Sequence, residues 1–528
     1  TCALPICGIS RRGYDWENDA PLMTPLSDTI LYLIHPRGFT RHTSSGVEQK
    51  GTFAGLAEKI PYLKELGITA AELMPSYEFL ELEKPEHRER SMAEARTHYM
   101  DPPAEEDEPP RINYWGYKKG YYFAPKMSYS ASDCPAEEFK DMIKQFHQNG
   151  IEVIMQFYFP ADVKRAYILE VIKHWVFTFH VDGFHLLGIH MPTALLATEP
   201  MLGNTKLFYT EIPCQEIYDN NDIPVYKNLA AYNDDFMYAA RHFLKSDEGS
   251  LQPMLGLLKK NPKQTGVINY ITNYSGFTLA DLVAYDRKHN EANGEENRDG
   301  ETYNVSWNCG AEGKTRKKSI LDLRWKQMRN AMLMLLTAQG TPMIVSGDEF
   351  GFSHGGNNNP YCQDNSVCWL NWKLTELNRE FLAFVREAIA FRKSHPVLHR
   401  PEEPTMMDYI ACGYPDLSFH GEEAWKLDAD NLSRQAGLMY CGCYAKVDRR
   451  NDDHFLYLAY NMHWEEHDFA LPALPPGMKW AKVLDTASGA QEEGENGKTA
   501  AVSGRSIQIF ESREKTGKEK QKAGQKKK

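Results

Sequence analysis

Short apolar runs of strand length alternate with amphipathic helical stretches over roughly 370 residues, and few architectures accept that order. Thr29–His35 reads as a strand. Phe53, Leu56, Ile60, Leu63 and Leu66 then recur at helical spacing, with Gly67 placed to end that helix. Ile68–Met74 is the next strand and stops at Pro75. Asp133 stands where it would cap a helix whose apolar face is Phe139, Met142, Ile143 and Phe146, with Gly150 after it. Ile151–Phe159, Gly183–Ile189, Leu207–Glu211, Val267–Thr272 and Met343–Ser346 read as further strands. Between the first two, Ile168, Val171, Ile172, Trp175 and Phe179 mark another helix. No sixth strand can be placed. Repeated strand–helix units predict a parallel sheet, either an eight-fold α/β barrel or a doubly wound sheet.

Near residue 405 the texture changes to short strands such as His454–Asn461, Trp480–Leu484 and Ser506–Phe510, separated by proline and glycine. This predicts a small antiparallel β domain over 405–511. Residues 1–28 are expected to be a linker or remnant ahead of a barrel at 29–400. An acidic, proline-containing loop at 81–110 is expected as an insertion after the second strand. The stretch 512–528, with eight Lys or Arg against two Glu, is expected to be disordered. Because the chain starts at Thr1 rather than Met, it reads as a fragment.

A net charge of −12 argues against nucleic acid as the main partner, since binding phosphates needs a basic face. Apolar runs such as Ala331–Leu336 fall far short of the ~20 residues of a membrane span, so no membrane partner is expected. The first residues lack a secretory apolar region, and the ten cysteines are scattered, which suggests a cytoplasmic setting. Cys441-Gly-Cys443 has no second cysteine pair at zinc spacing, so no metal site is expected, and no motif for any cofactor is found.

Several segments occur together in one order. They include HPRGFT from His35, GTFAGL from Gly51, YWGY from Tyr114 and FAP from Phe123. Further on are GFTL from Gly276, HNEANGEENRDG from His289, SWNCG from Ser306, QGTPMIVSGDEF from Gln339 and NNNPYCQDN from Asn357. Over roughly residues 14–500 the chain resembles the isoamylase and bacterial glycogen-debranching branch of the α-amylase superfamily. The resemblance implies a (β/α)8 barrel followed by a C-terminal antiparallel β-sandwich, with the family's N-terminal β-sandwich absent. It also implies an α-glucan partner such as glycogen, starch or maltooligosaccharides, and a protein partner among glycogen-metabolism enzymes.

The family cleaves glucosidic bonds with retention. That chemistry needs two carboxyl groups about 5–5.5 Å apart, one to attack and one to shuttle the proton. By the resemblance, the nucleophile position is Leu187 and the sugar-binding arginine position is His185. The third carboxylate position is Ser275 beside Tyr274, and the first family region reads Gln156–Ala161 without its aspartate, asparagine or histidine. Glu211 alone survives, at the acid/base position. Nearby carboxylates do not substitute. Asp182 points away from the face shared by 183, 185 and 187, and Glu152 lies about 13 Å below Gln156 at ~3.3 Å per residue. Loss of a nucleophile costs a rate factor on the order of 10⁶ in other covalent enzymes.

The reading is therefore a debranching-like α-glucan-binding protein that lacks normal hydrolysis, a pseudoenzyme of carbohydrate metabolism. The alternatives are an active α-1,6-glucosidase rewired around Glu211, or a scaffold that binds no glucan. Tyr32, Tyr114, Trp115 and Tyr117 are candidate stacking platforms for glucose rings, or packing. His185 and Tyr274 are candidates for sugar contact, or part of a packed mouth. Asn290, Glu291, Asn293, Asn297 and Arg298 suit hydrogen bonding to sugar hydroxyls, or form a structured polar loop.

Overall fold

The computed structural model describes residues 13–83, 111–218, 222–488 and 498–515. Eight parallel strands close into a barrel in chain order: β1 Leu31–Ile34, β2 Ala70–Leu73, β3 Glu152–Tyr158, β4 Gly183–Leu187, β5 Lys206–Tyr209, β6 Leu229–Tyr232, β7 Gly266–Asn269 and β8 Thr341–Val345. β1 pairs with both β2 and β8, which completes the ring. The expected barrel is present, and β6 is the strand that could not be placed from sequence. Among the described residues no helix is long and apolar enough to cross a membrane.

Local boundaries differ from expectation for physical reasons. The helix anticipated from Phe53 divides into Phe53–Ala57 and Ile60–Leu66, with Pro61 in the first turn of the second segment. Proline lacks the amide that would continue a preceding helix but fits a first turn. Gly67 ends the second segment at φ 95, and its amide donates to the carbonyls of Leu63 and Lys64. Asp133 does not cap the helix Pro135–Gln148, whose N-cap is Cys134. The Glu138 carboxylate instead accepts from the amides of Ala131, Ser132 and Ala54, tying the loop and the Phe53 helix to this one.

The barrel must bury its interior, and it does so with both apolar and charged groups. Leu31, Leu33, Ala70, Ile154, Phe208, Ala230, Ile268 and Met343 form one inner cluster, with Leu26 below them. At the floor the Lys206 ammonium is paired with Glu152 and also donates to the Thr29 hydroxyl. Glu152 accepts the Thr24 amide as well. Both side chains of the pair are about 1% exposed, so each charge depends on the other.

Residues 13–28 pack beneath this floor. Trp16 stacks on His180 with ring centroids 3.7 Å apart. The Asp19 carboxylate bonds both His147 and His180, and His147 also bonds Asp182, each contact at 2.8 Å or less. Asp182 therefore faces away from the barrel mouth, as strand parity predicts. Leu82–Glu83 pairs with Arg111–Ile112, forming the stem of the expected insertion, while 84–110 lies outside the described residues.

After the barrel, five antiparallel strands form a sheet. Their chain order is β9 Leu417–His420, β10 Gln435–Tyr440, β11 Leu456–Asn461, β13 Met478–Asp485 and β15 Ser506–Glu514, and their spatial order is β9-β10-β11-β15-β13. A second, two-stranded sheet pairs β12 His467–Ala470 with β14 Thr499–Val502. Met439, Tyr457, Phe469, Trp480, Val502 and Phe510 are packed together in a core of this β domain. The strand Ser506–Glu514 runs into the stretch expected to be disordered, because Ser512 pairs with Trp480; residues 516–528 lie outside the described set. The other face packs on the barrel, where Tyr460 shares a hydrogen bond with Thr337 at 2.8 Å. Arg392, 1% exposed, donates to the carbonyls of Leu336, Ala338 and Gly340 and fixes the turn into β8.

Two outcomes follow. His147 is held charged up to about 9: burial opposes the charge, and Asp182 and Asp19 outweigh it. Its folded value exceeds the usual 6.5, so its stabilisation is complete below pH 6.5 and is lost as pH rises through 9. The unfolding free energy should fall over that window by an amount on the order of 3 kcal/mol, and fall much less in His147→Gln. An identical slope in the variant would remove His147 as the cause. Separately, Lys206→Met should cost about 3–5 kcal/mol in denaturant unfolding by stranding Glu152, and adding Glu152→Gln should recover most of that loss.

Candidate active site

The C-terminal rim of the barrel is where strand-end side chains converge in this architecture. Its centre is a buried polar network under an aromatic cover. Glu72, fully buried on β2, is the hub. One of its oxygens accepts from His185 Nδ1 at 2.7 Å and from Gln156 Nε2 at 2.6 Å. The other accepts from the Tyr232 hydroxyl. The carboxylate thus sets the imidazole tautomer, with the proton on Nδ1. Tyr232 lies flat on His185, ring centroids 4.1 Å apart and planes within 11°. The Tyr117 hydroxyl donates to the Gln156 oxygen, and Tyr117 stacks on Tyr274 at 4.7 Å. Trp115 meets Tyr274 edge-on at 5.4 Å.

Burial pushes the Tyr232 and Tyr117 phenols well above their usual value, with Glu72 adding to the shift, and pushes Tyr274 up to about 12. All three remain neutral donors near neutral pH. His185 and Tyr274, both candidates for sugar contact, are therefore members of the packed mouth. His185 is engaged by Glu72 and covered by Tyr232, while Tyr274 and Trp115 are half-buried at the rim.

Beyond this plug lie the residues that the resemblance assigns to a retaining pair. Leu187 ends β4 half-buried and offers no lone pair. β5 stops at Tyr209 rather than running to residue 211, so Glu211 sits in the following loop. There it is exposed and makes no hydrogen bond or ion pair with any described residue. Ser275 is exposed beyond β7. The Glu72 oxygens are occupied by three donors beneath the tyrosines.

Several other candidates are structural. Tyr32 points outward from β1 into the surrounding core and, with Tyr62, donates to Glu349 at 2.6 Å; it is not a stacking platform. Tyr114 is buried with one ring face against His35 at 3.9 Å, so it too offers no open platform.

The asparagine-rich loop turns inward. Asn290 Nδ2 donates to Asn358 Oδ1 at 2.8 Å, and the Asn358 amide donates back to Asn290 Oδ1 at 3.0 Å. Asn293 Nδ2 donates to the Asp299 carboxylate at 2.8 Å, and Asn293 Oδ1 accepts from Asn357 Nδ2 at 2.9 Å. Asn297 accepts the Asn290 amide and donates to the Lys288 carbonyl. The Asn290 and Asn293 amides are thus engaged by the loop at Asn357–Asn359, and the Asn297 amide by its own loop. Glu291 and Arg298 are exposed, with Arg298 paired to Glu296.

Sequence reasoning missed Glu72 and Tyr232. The available signal was a lone carboxylate within Ala70–Leu73, since a charge in a buried strand demands partners inside the fold. Glu72→Ala should leave three donors unsatisfied and cost at least ~3 kcal/mol in denaturant unfolding. A change within about 0.5 kcal/mol would contradict the hub role.

Comparison with known proteins agrees with this architecture. Residues 33–160 match the α-amylase catalytic-domain family. The chain is 32% identical to isoamylase 1 of Arabidopsis thaliana, with 90% of this chain and 68% of that protein covered. It is also 32% identical to the glycogen operon protein GlgX homolog of Mycobacterium tuberculosis, covering 90% and 74%. It spans 66% of the rice isoamylase 1. Among solved structures, pullulanase type I from Bacillus subtilis, complexed with maltose, superposes with TM-score 0.68 at 20% identity, covering 96% of this chain and 72% of that one. Pullulanase from Bacillus acidopullulyticus gives TM-score 0.65 at 19% identity, over 94% of this chain and 62% of that one. Sequence kinship and shared barrel together make this chain a member of the isoamylase and GlgX-type debranching branch of the α-amylase family.

Proposed function

We propose that this chain binds α-glucan through its barrel rim and does not hydrolyse it by the retaining route. The observation that carries the proposal is Leu187 at the end of β4, with Glu211 exposed and unpartnered beyond β5. A retaining mechanism needs an attacking carboxylate about 5–5.5 Å from the acid/base. Of the carboxylates examined as substitutes, Glu72 is sequestered under the tyrosines, while Glu152 and Asp182 are committed at the other end of the barrel. Glu211 is left as a proton donor with no identified group to activate water.

Binding is supported by family membership and by the half-buried rings of Trp115 and Tyr117 at the rim. Aromatic faces with polar tips suit sugar rings, which present apolar C–H faces edged by hydroxyls. Related pullulanases have been solved with maltose and with maltohexaose, which makes short maltooligosaccharides the natural probes.

A sensitive reducing-end assay on glycogen, amylopectin and maltooligosaccharides should give equal background signal from the wild-type chain and Glu211→Gln. Product that disappears in the variant would establish an active, rewired glucosidase. Affinity electrophoresis in glycogen should show retardation of wild type, with affinity weakened roughly 10-fold in Trp115→Ala, about 1.4 kcal/mol. No retardation by any α-glucan would leave a non-binding scaffold.

A further inference from the structure

Three cysteines distant from the barrel mouth come together on the β domain. Cys441 directly follows β10, Cys443 comes two residues later, and Cys412 arrives from the loop before β9. Their sulfurs all lie within 4.8 Å of one another, and the Cys412 and Cys441 sulfurs are 3.8 Å apart. All three are free thiols. Cys441 is buried, whereas Cys412 and Cys443 are partly open to solvent.

The backbone around them is tightly determined. A Cβ on Gly442 would stand 2.0 Å from the Asp453 carbonyl, so only glycine fits between the two cysteines. On the other side Ala411 adopts φ 57, a conformation costly for a residue with a Cβ, and Gly413 adopts φ 90. Asp408 holds that turn by accepting the Cys412 amide at 3.0 Å and the Gly413 amide at 2.7 Å. Tyr444 locks it further, donating to Asp408 at 2.8 Å with its oxygen 3.8 Å from the Cys412 sulfur.

We propose that Cys412, Cys441 and Cys443 form a three-thiolate site for a zinc-class thiophilic cation, clipping the 405–416 loop to the end of β10. Zinc–sulfur bonds of about 2.3 Å in a tetrahedron place sulfurs about 3.8 Å apart, the separation already present between Cys412 and Cys441. Soft thiolates select this class of ion over magnesium or calcium. Because Cys412 and Cys443 are partly open to solvent, the fourth ligand would be water. Asp408 stays outside the coordination sphere, with its carboxylate spent on the turn. The third thiol, Cys412, lies 29 positions upstream of Cys441, a separation that no local spacing in the sequence marks.

The test is cobalt(II) titration of the full, reduced, chelator-treated chain, with cobalt as the spectroscopic stand-in for zinc. One equivalent should bind, giving a thiolate-to-metal charge-transfer band and tetrahedral d–d absorption, both displaced by zinc. Zinc should also raise the unfolding temperature. Cys412→Ser and Cys443→Ser, whose side chains are partly open, should each abolish the band while retaining wild-type circular dichroism. Cys134→Ser, an exposed cysteine elsewhere, should leave the band unchanged. Absence of the band in the wild-type chain, its survival in Cys412→Ser, or a disulfide among the three in freshly isolated protein would each overturn the proposal.

Discussion

Burying a carboxylate inside a closed barrel requires that every lone pair find a donor, and the mouth of this protein is arranged around that requirement. Glu72 draws His185, Gln156 and Tyr232 inward, and Gln156 in turn holds Tyr117 against Tyr274. Each member is set by the previous one, so the chemistry of the rim is decided two strands away from the nominal reaction centre. A substitution at Leu187 alone would leave this arrangement in place, because the neighbouring groups would still be bound to Glu72. The same logic governs the floor, where Lys206 and Glu152 neutralise each other among apolar neighbours. Between these two polar layers the interior is an ordinary packed core.

The segments that most resemble the debranching family turn out to join loops. The stretch from Asn290 to Asp299 closes on Asn357–Asn359 through reciprocal side-chain amide bonds. Gly347–Glu349 serves the same end, with Asp348 accepting from Thr272 and the Leu279 amide while Glu349 receives Tyr32 and Tyr62. Retention of such motifs therefore measures the demands of a folded barrel with long loops. It is weak evidence about sugar contact, because removing one partner strands several buried amides at once.

What was legible in the sequence follows from local physics. Helix periodicity, the left-handed turn at Gly67 and the opposed faces of Asp182 and Gly183 are properties of neighbouring residues, and the structure agrees with each. Tyr32 was misread because β1 is buried on both faces, so alternation identifies two sides without saying which one is the interior. β6 escaped because Leu229–Tyr232 is four residues long and half alanine, too short to stand out from a loop. The Glu72 hub and the Cys412 component depend on contacts between residues far apart in the chain, for which no local spacing exists.

Ring closure has a cost in time as well as in space. β1 is hydrogen-bonded to β2, some 40 residues away, and to β8, some 310 residues away. A chain emerging from a ribosome can lay down strands one after another, yet the first strand keeps an open edge until the eighth has been made. Such an edge is a template for pairing with another molecule. The β domain repeats the difficulty, since β15 lies between β11 and β13 and enters the sheet last. Nascent copies of this protein therefore spend most of their synthesis with unpaired strands exposed, which makes crowding and translation speed, rather than the stability of the finished barrel, the expected limits on its yield.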